Sequence, residues 1–176
     1  MPRQRVRTVK DSQVQMVQMV LPTDTNRLGN LLGGQLMQWI DIAAAIAASR
    51  HTNRVCVTAS VDELNFHHPI LQGDVVTLQA SVNRVFRTSL EIGVRVTKEN
   101  LLTGEKVYTN TAYLTFVAID EHGKPVSVSP IKLVTKEEKR RYADAARRRE
   151  LRLLHRKQLY TERARLRFRR KGAIIQ

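Results

Sequence analysis

Apolar and polar residues alternate along several stretches of this chain, and the alternation predicts β-strands. It is clearest at residues 55–61, 76–83 and 90–97, where every second residue is Val, Leu, Ile or Ala. A period of two is typical of antiparallel strands that bury one face. Apolar runs at residues 14–21 and 108–119 predict a first strand and a last long strand. Turn pairs lie between the later strands: Gly73-Asp74, Arg87-Thr88 and Thr103-Gly104.

One segment in the first third of the chain has a helical composition instead. Residues 33–50 are apolar on nearly every side and rich in alanine, so we expect a helix that is buried. One strand, one long helix and then four or more strands predict an α+β fold, in which an antiparallel sheet wraps around a single central helix. The chain has no internal repeat, which indicates one such domain.

The C-terminal part of the chain predicts a different kind of helix. From residue 135 to residue 168 the sequence is highly charged, and Leu151, Leu154, Leu159 and Leu166 give it only a thin apolar stripe. A helix of this kind packs weakly by itself, so a solvated face is expected. The predicted organisation is therefore a flexible basic arm (residues 1–13), a folded domain (residues 14–134) and a basic helical extension (residues 135–176).

The formal net charge of +14 is unevenly distributed. Residues 1–10 hold four bases and no acids, residues 11–130 hold nine bases and eleven acids, and residues 131–176 hold seventeen bases and five acids. A nearly neutral domain thus has basic ends, which bears on anionic partners and not on the fold. Nucleic-acid binding by the tail is not favoured, because only Tyr160 and Phe168 interleave its arginines and a stacking platform is lacking.

Length and cysteine content limit the class of protein. The 176 residues suffice for one domain with its own core. No apolar run approaches the ~20 residues that span a bilayer, and the N-terminal arginines precede no apolar stretch, so neither a membrane span nor a secretory signal is expected. Cys56 is the only cysteine, lies in a predicted strand, and fits a small buried residue in a reducing, cytoplasmic compartment.

Candidate chemistry is concentrated where a polar loop enters the apolar helix. Gly33-Gly34 allows close approach to the backbone, and the helix start offers N–H groups without intrahelical partners. Asn26 adds an amide, and Asp41 adds a carboxylate about two turns into the helix. Together these groups could bind a developing oxyanion and activate a water. A turn, a helix and a solvated aspartate are an equally good interpretation of the pattern alone.

The order of motifs along residues 14–150 resembles that of the hotdog-fold acyl-CoA thioesterases, in particular the bacterial single-domain acyl-CoA hydrolases. The animal cytosolic enzymes carry two such domains in tandem. No single motif is decisive, but the whole series in this order is specific. The series comprises residues 24–41, 41–51, 57–62, 66–70, 73–76, 87–91, 115–118 and 123–126.

The resemblance implies roles for particular residues. In that family the aspartate of the Gly-Gly…Met…Asp motif, here Asp41, acts as general base or nucleophile. The asparagine of the Asp-x-Asn motif, here Asn26, complements it across a dimer interface, and the Gly34 N–H would bind the oxyanion. A homodimer is the minimum assembly that the resemblance implies, and three dimers usually form a hexamer.

The resemblance also implies a binding site for coenzyme A. The turn Arg87-Thr88-Ser89 matches a turn that contacts the coenzyme in relatives, and Gly33 joins it as a substrate-binding residue. A solvated hairpin tip is an equally good interpretation of that turn. Coenzyme A would be part of the substrate and product, so no cofactor and no metal are expected. His51, His67 and His68 are interpreted as structural.

Two other functions fit parts of the sequence. A non-catalytic acyl-CoA-binding hotdog sensor could use the basic tail to bind nucleic acid, although 13 residues are too few for a preceding helix-turn-helix. An acyl carrier protein dehydratase would need a catalytic His ahead of the central helix, and this chain has none there. A serine hydrolase is not indicated, because Gly-x-Ser-x-Gly is missing. Acyl chain length and pathway are not encoded in these patterns.

Overall fold

The computed structural model describes residues 6–65 and 68–172, with side chains up to Thr161. Its elements follow each other as one short strand, one strand, a long helix, four strands, a short strand and a second long helix. Their bounds are β1 Arg7–Thr8, β2 Val14–Met19, α1 Gly33–Thr52, β3 Val55–Val61, β4 Val75–Val85, β5 Ser89–Glu99, β6 Lys106–Ile119, β7 Ile131–Lys132 and α2 Lys136–Gly172. Short 3-10 helices occupy Lys10–Ser12 and Pro22–Asp24.

Five strands form one antiparallel sheet in the order β2-β4-β5-β6-β3, and α1 packs against one of its faces. This is the hotdog arrangement that the sequence predicted, and the prediction is confirmed. The alternating residues of β4 and β5 point their apolar members at α1, which meets them with small side chains. The centre of the apolar core is formed by Ala43, Ala44, Ala47, Ala48, Val76, Leu78, Val82, Leu90, Ile92 and Val94.

The helix α1 is only partly buried, contrary to the sequence prediction. The side opposite its alanines lies open: Met37, Ile42 and Ile46 are 41%, 42% and 39% exposed. The neighbouring β3 is an edge strand, and its Val residues 55, 57 and 61 are exposed as well. The apolar composition predicted the helix correctly but could not reveal that one of its sides is left uncovered by the described residues.

The first half of α2 packs on the outer face of the sheet, which corrects the predicted solvated extension. Ala145 is fully buried, and Arg148 and Arg152 form ion pairs with Glu91 of β5, which has no exposed surface. Arg148 also stacks on Tyr113, 3.6 Å from the ring centre. Ion pairs hold α2 against the sheet. The prediction considered only the apolar residues of this helix, and the apolar residues do not reveal such pairs.

The predicted flexible arm is also partly structured. Within residues 1–13, β1 pairs in parallel with β7, and Val9 and Ser12 are buried. Ser12 Oγ accepts a hydrogen bond from Val82 N at 3.1 Å, which ties this segment to β4. Residues 7–13 therefore belong to the packed domain. Within the described part of the chain, no helix is long and apolar enough to cross a membrane.

Candidate active site

Asp41 lies on the open side of α1 and is held by the neighbouring strand. The Thr58 hydroxyl of β3 donates a hydrogen bond to Asp41 Oδ1 at 2.7 Å. The pairing of β3 with β6 is irregular between Thr58 and Ser60, at this same point. Asp41 is half-buried, so the carboxylate is fixed in direction by Thr58 and still reachable from outside.

The start of α1 presents backbone donors on the same side. Leu36 N–H makes the first bond of the helix, to the Leu32 carbonyl at 3.1 Å, and Leu32 provides no side-chain cap. The N–H groups of the preceding residues, including Gly33 and Gly34, therefore have no partner within the helix. A Cβ added at Gly34 would meet no atom within 4 Å, so the space beside this backbone is open.

Asn26 organises the loop that leads into α1. Its Oδ1 accepts hydrogen bonds from Leu28 N at 2.9 Å and Asn30 N at 3.2 Å, which fixes the amide in a tight turn. The loop is closed at its base by Leu32 N donating to the Asp24 carbonyl at 2.8 Å. Among the described residues, no hydrogen bond joins Asn26 to Asp41 within one chain. Asp41 and Gly34 thus belong to the same helix, whereas Asn26 belongs to the loop that precedes it.

These groups have complementary chemical capacities. An oriented carboxylate can take a proton from water or attack a carbonyl carbon itself. Backbone N–H groups at a helix start can stabilise the negative charge that then develops on the carbonyl oxygen. The hydrogen bond from Thr58 leaves the second carboxylate oxygen of Asp41 available for that reaction.

The turn between β4 and β5 is held through its backbone. Phe86 N donates to the Ser89 carbonyl at 2.7 Å, Ala118 N to the Thr88 carbonyl at 3.1 Å, and Val128 N to the Arg87 carbonyl at 3.0 Å. The side chain of Arg87 is exposed. A rigid backbone with an outward cation is a suitable arrangement for an anionic ligand.

His51 and Cys56 have surroundings that fit structural roles. His51 is buried at the end of α1, its Nε2 bonds the Ser129 carbonyl at 2.9 Å, and burial lowers its pKa. His67 lies outside the described residues, and His68 is exposed. Burial raises the pKa of the Cys56 thiol, which lies 3.2 Å from the Thr52 hydroxyl. No cluster of three metal-binding side chains occurs in the part of the chain that the structure describes.

Comparison with known proteins identifies the family. Residues 28–105 match the Thioesterase superfamily. An uncharacterized acyl-CoA thioester hydrolase of Bacillus subtilis is 46% identical over 132 residues, which are 75% of this chain and 77% of that protein. The chain belongs to the thioesterase superfamily. Acyl-coenzyme A thioesterase 11 of the mouse is 43% identical over 144 residues, which are 82% of this chain. The matched part is only 24% of the mouse protein.

Solved thioesterases share the whole fold. An apo-hexameric acyl-CoA thioesterase superposes with a TM-score of 0.82 at 42% identity, over 86% of this chain and 97% of its own. An acyl-CoA hydrolase of Staphylococcus aureus, solved with butyryl coenzyme A, coenzyme A and coenzyme A disulfide, gives 0.81 at 32% identity, over 91% and 99%. That hydrolase has also been solved with an aspartate, an asparagine or a threonine replaced by alanine.

Sequence reasoning gave no role to Thr58. Its signal was present, because Thr58 is a polar member of the alternation in β3 and lies in one of the motifs of the family resemblance. Its partner could not be deduced, since a strand pattern does not show which residue of a helix a strand residue faces.

An open depression of about 840 Å³, lined partly by Asn53, Cys56 and Asp120, lies at the beginning of β3.

Proposed function

We propose that this chain is an acyl-CoA thioesterase and that Asp41 is its general base or nucleophile. The observation that supports this most is the Asp41 carboxylate, oriented by Thr58 on the open side of a helix whose first N–H groups are free. The Gly34 N–H stabilises the oxyanion as water, or Asp41 itself, adds to the thioester carbonyl. When water attacks, Asp41 takes its proton and passes it to the thiolate that leaves as the C–S bond breaks. When Asp41 attacks, the C–S bond breaks to leave a mixed anhydride on Asp41, and water then hydrolyses this anhydride and supplies the proton that the thiolate takes up. Both routes release the fatty acid and coenzyme A and restore the Asp41 carboxylate.

Two properties of the solved relatives support this assignment. The Staphylococcus aureus hydrolase has been solved with coenzyme A and with butyryl coenzyme A. The residue types replaced in its variants, an aspartate, an asparagine and a threonine, are those that this chain presents at positions 41, 26 and 58. We assign Asn26 to the site on this basis, together with Asp41 and Thr58.

The assembly that we propose is a homodimer, with three dimers forming a hexamer. The open side of α1 and the exposed Val61 of the edge strand β3, which pairs with the buried Leu114, lie on the same face of the sheet, and a second copy would cover them. A solved relative is hexameric. In such a dimer Asn26 of one copy complements Asp41 of the other, and among the described residues no hydrogen bond joins the two side chains within one chain.

The binding of substrate in this proposal needs no cofactor or metal. Coenzyme A enters as part of the substrate, and Arg87, Thr88 and Ser89 bind it at the rigid turn between β4 and β5, with Gly33 beside the thioester. The reaction takes place in the cytoplasm.

The direct test of this function is a thiol-release assay with acyl-CoA esters from acetyl to palmitoyl. We expect hydrolysis of at least part of the series, and the chain-length profile reports the depth of the acyl pocket. Tight binding of acyl-CoA without thiol release at any chain length would favour the non-catalytic sensor instead.

A mixing experiment tests the shared site. Asn26→Ala and Asp41→Asn chains are each expected to be nearly inactive, and mixed dimers should regain activity because one of their two composite sites is intact. Subunit exchange is checked by native mass spectrometry. Confirmed exchange without any recovery would place both residues in one chain's site.

A further inference from the structure

Arginines on the sheet-facing side of α2 fall into two groups. Arg148 and Arg152 are paired with carboxylates: Arg148 Nη2 lies 2.6 Å from Glu91 Oε1, and Arg152 lies 2.5 Å from Asp62 and 3.1 Å from Glu91. The positive charges of these two guanidinium groups are therefore balanced by the negative charges of the two carboxylates. Arg149, adjacent in sequence, has no carboxylate within ion-pair distance in the described part of the chain.

Arg149 contacts the turn between β4 and β5 instead. Its guanidinium carbon lies 4.0 Å from the centre of the Phe86 ring, and its Nη1 lies 3.5 Å from Ser89 Oγ. Arg84 also contacts Phe86, at 5.6 Å, and stacks on Tyr142 at 4.0 Å. The aromatic ring thus holds the guanidinium of Arg149 beside the turn without neutralising it.

Arg84 and Arg149 thus both contact the aromatic residue of the turn, Arg87 is an exposed residue of the turn itself, and none of the three has an ion-pair partner among the described residues. Unpaired like charges around one turn repel each other, and an anion that binds at the turn relieves the repulsion. A guanidinium group is also the cation whose geometry best matches a phosphate, because it can donate two parallel hydrogen bonds. The arrangement is that of a site for a phosphorylated ligand.

We propose that Arg149 of α2 is a second cation, beside Arg87, in the site that binds the phosphate-bearing nucleotide end of coenzyme A. The inference rests on the proposed thioesterase function. Ser89 and Val57 both pair with Val117, so the turn lies two strand spacings, or about 10 Å, from the strand that carries Thr58. An extended pantetheine arm is longer than that. The basic helix is therefore a substrate-recognition element.

The test compares two thioesters with the Arg149→Gln variant. The KM for acyl-CoA is expected to rise about tenfold, the scale of losing one charged hydrogen bond, with little change in kcat. The acyl-pantetheine ester lacks the nucleotide, so its kcat/KM should stay within about twofold of wild type. Arg147→Gln removes the same charge from an exposed position of α2 and is the matched control.

Binding of free coenzyme A, measured by calorimetry on the full chain, separates this proposal from the proposed function. A tenfold weaker affinity in Arg149→Gln supports the phosphate site even if no thioester is hydrolysed. An equal loss on both thioesters, an equal effect of Arg147→Gln, or unchanged affinity would overturn it. If Arg149→Gln fails to fold, Arg149→Lys keeps the charge but not the paired donors, and the same selective rise in KM, of about threefold, is expected.

Discussion

The two helices of this thioesterase lie against opposite faces of one sheet, and they bind it by opposite chemistry. On the inner face, α1 presents alanines that are completely buried among Leu, Val and Ile of the strands. On the outer face, α2 presents arginines that pair with Glu91 and Asp62. Burial of apolar surface stabilises the first contact, whereas the second depends on satisfying charges that have left water.

The difference fits the different roles that we propose for the two helices. A contact made by small apolar side chains is close and leaves little space, so α1 can fix Asp41 relative to β3. A contact made by arginines brings cations to the end of the sheet where β4 turns into β5. The first arrangement suits the reacting groups, and the second suits recognition of an anionic substrate.

The largest expected effect on stability is at the outer face. Glu91→Ala leaves Arg148 and Arg152 with one carboxylate between them, and breaking a buried pair in this way costs about 3 kcal/mol. The double variant Glu91→Met/Arg148→Met removes both members of one pair and should be much less destabilised. Urea unfolding measures both. A loss below ~1 kcal/mol in Glu91→Ala would mean that α2 is not held by this pair.

A smaller effect is expected at the inner face. Ala47→Leu adds three carbons to a position with no exposed surface, and overpacking of this kind costs about 1–3 kcal/mol. Ala143→Leu, at an exposed position of α2, is the control and should change the unfolding free energy little. If both substitutions were neutral, the contact between α1 and the sheet would be looser than described.

The smallest effect concerns pH and the end of α1. Burial lowers the pKa of His51, so the unfolded chain takes up a proton before the folded chain does. The free energy of unfolding should therefore fall as the pH drops below about 6.5, the pKa of an unfolded His. Above that pH, His51 is neutral in both states and should not make the free energy of unfolding depend on pH. His51→Gln, which retains a donor for the Ser129 carbonyl, should flatten the dependence. The exposed His122→Gln is the control, and an unchanged slope in His51→Gln would refute the assignment.

The sequence predicted the parts of the fold that depend on apolar periodicity. The alternation in residues 76–83 and 90–97 placed β4 and β5 and identified their core-facing residues correctly. In β3 the same pattern predicted the strand, but its valines are exposed. A period of two shows that a strand has an apolar and a polar face, but it does not show which element packs on either face. Glu91 was expected on the polar face, where it is, yet it is buried by a helix that the pattern did not place.

The candidate site was predictable to a similar extent. Asp41 and Gly34 share a helix face at a spacing that can be read directly, and the structure places both on the open side of α1. The hydrogen bond from Thr58 joins residues 17 positions apart in different elements, which no local pattern encodes. The contacts on which the role proposed for Arg149 rests depend on how α2 crosses the sheet, and no local sequence pattern encodes them either.

The most direct test of the central claim is the turnover of Asp41→Asn at saturating acyl-CoA. The substitution keeps the shape and an acceptor for the Thr58 hydroxyl but removes the base, so we predict a fall in kcat of ~100-fold or more, with the unfolding transition and the oligomer unchanged. Asp120→Asn, in the turn after β6, is the control and should retain full activity. A folded Asp41→Asn variant with kcat close to that of wild type would contradict the account.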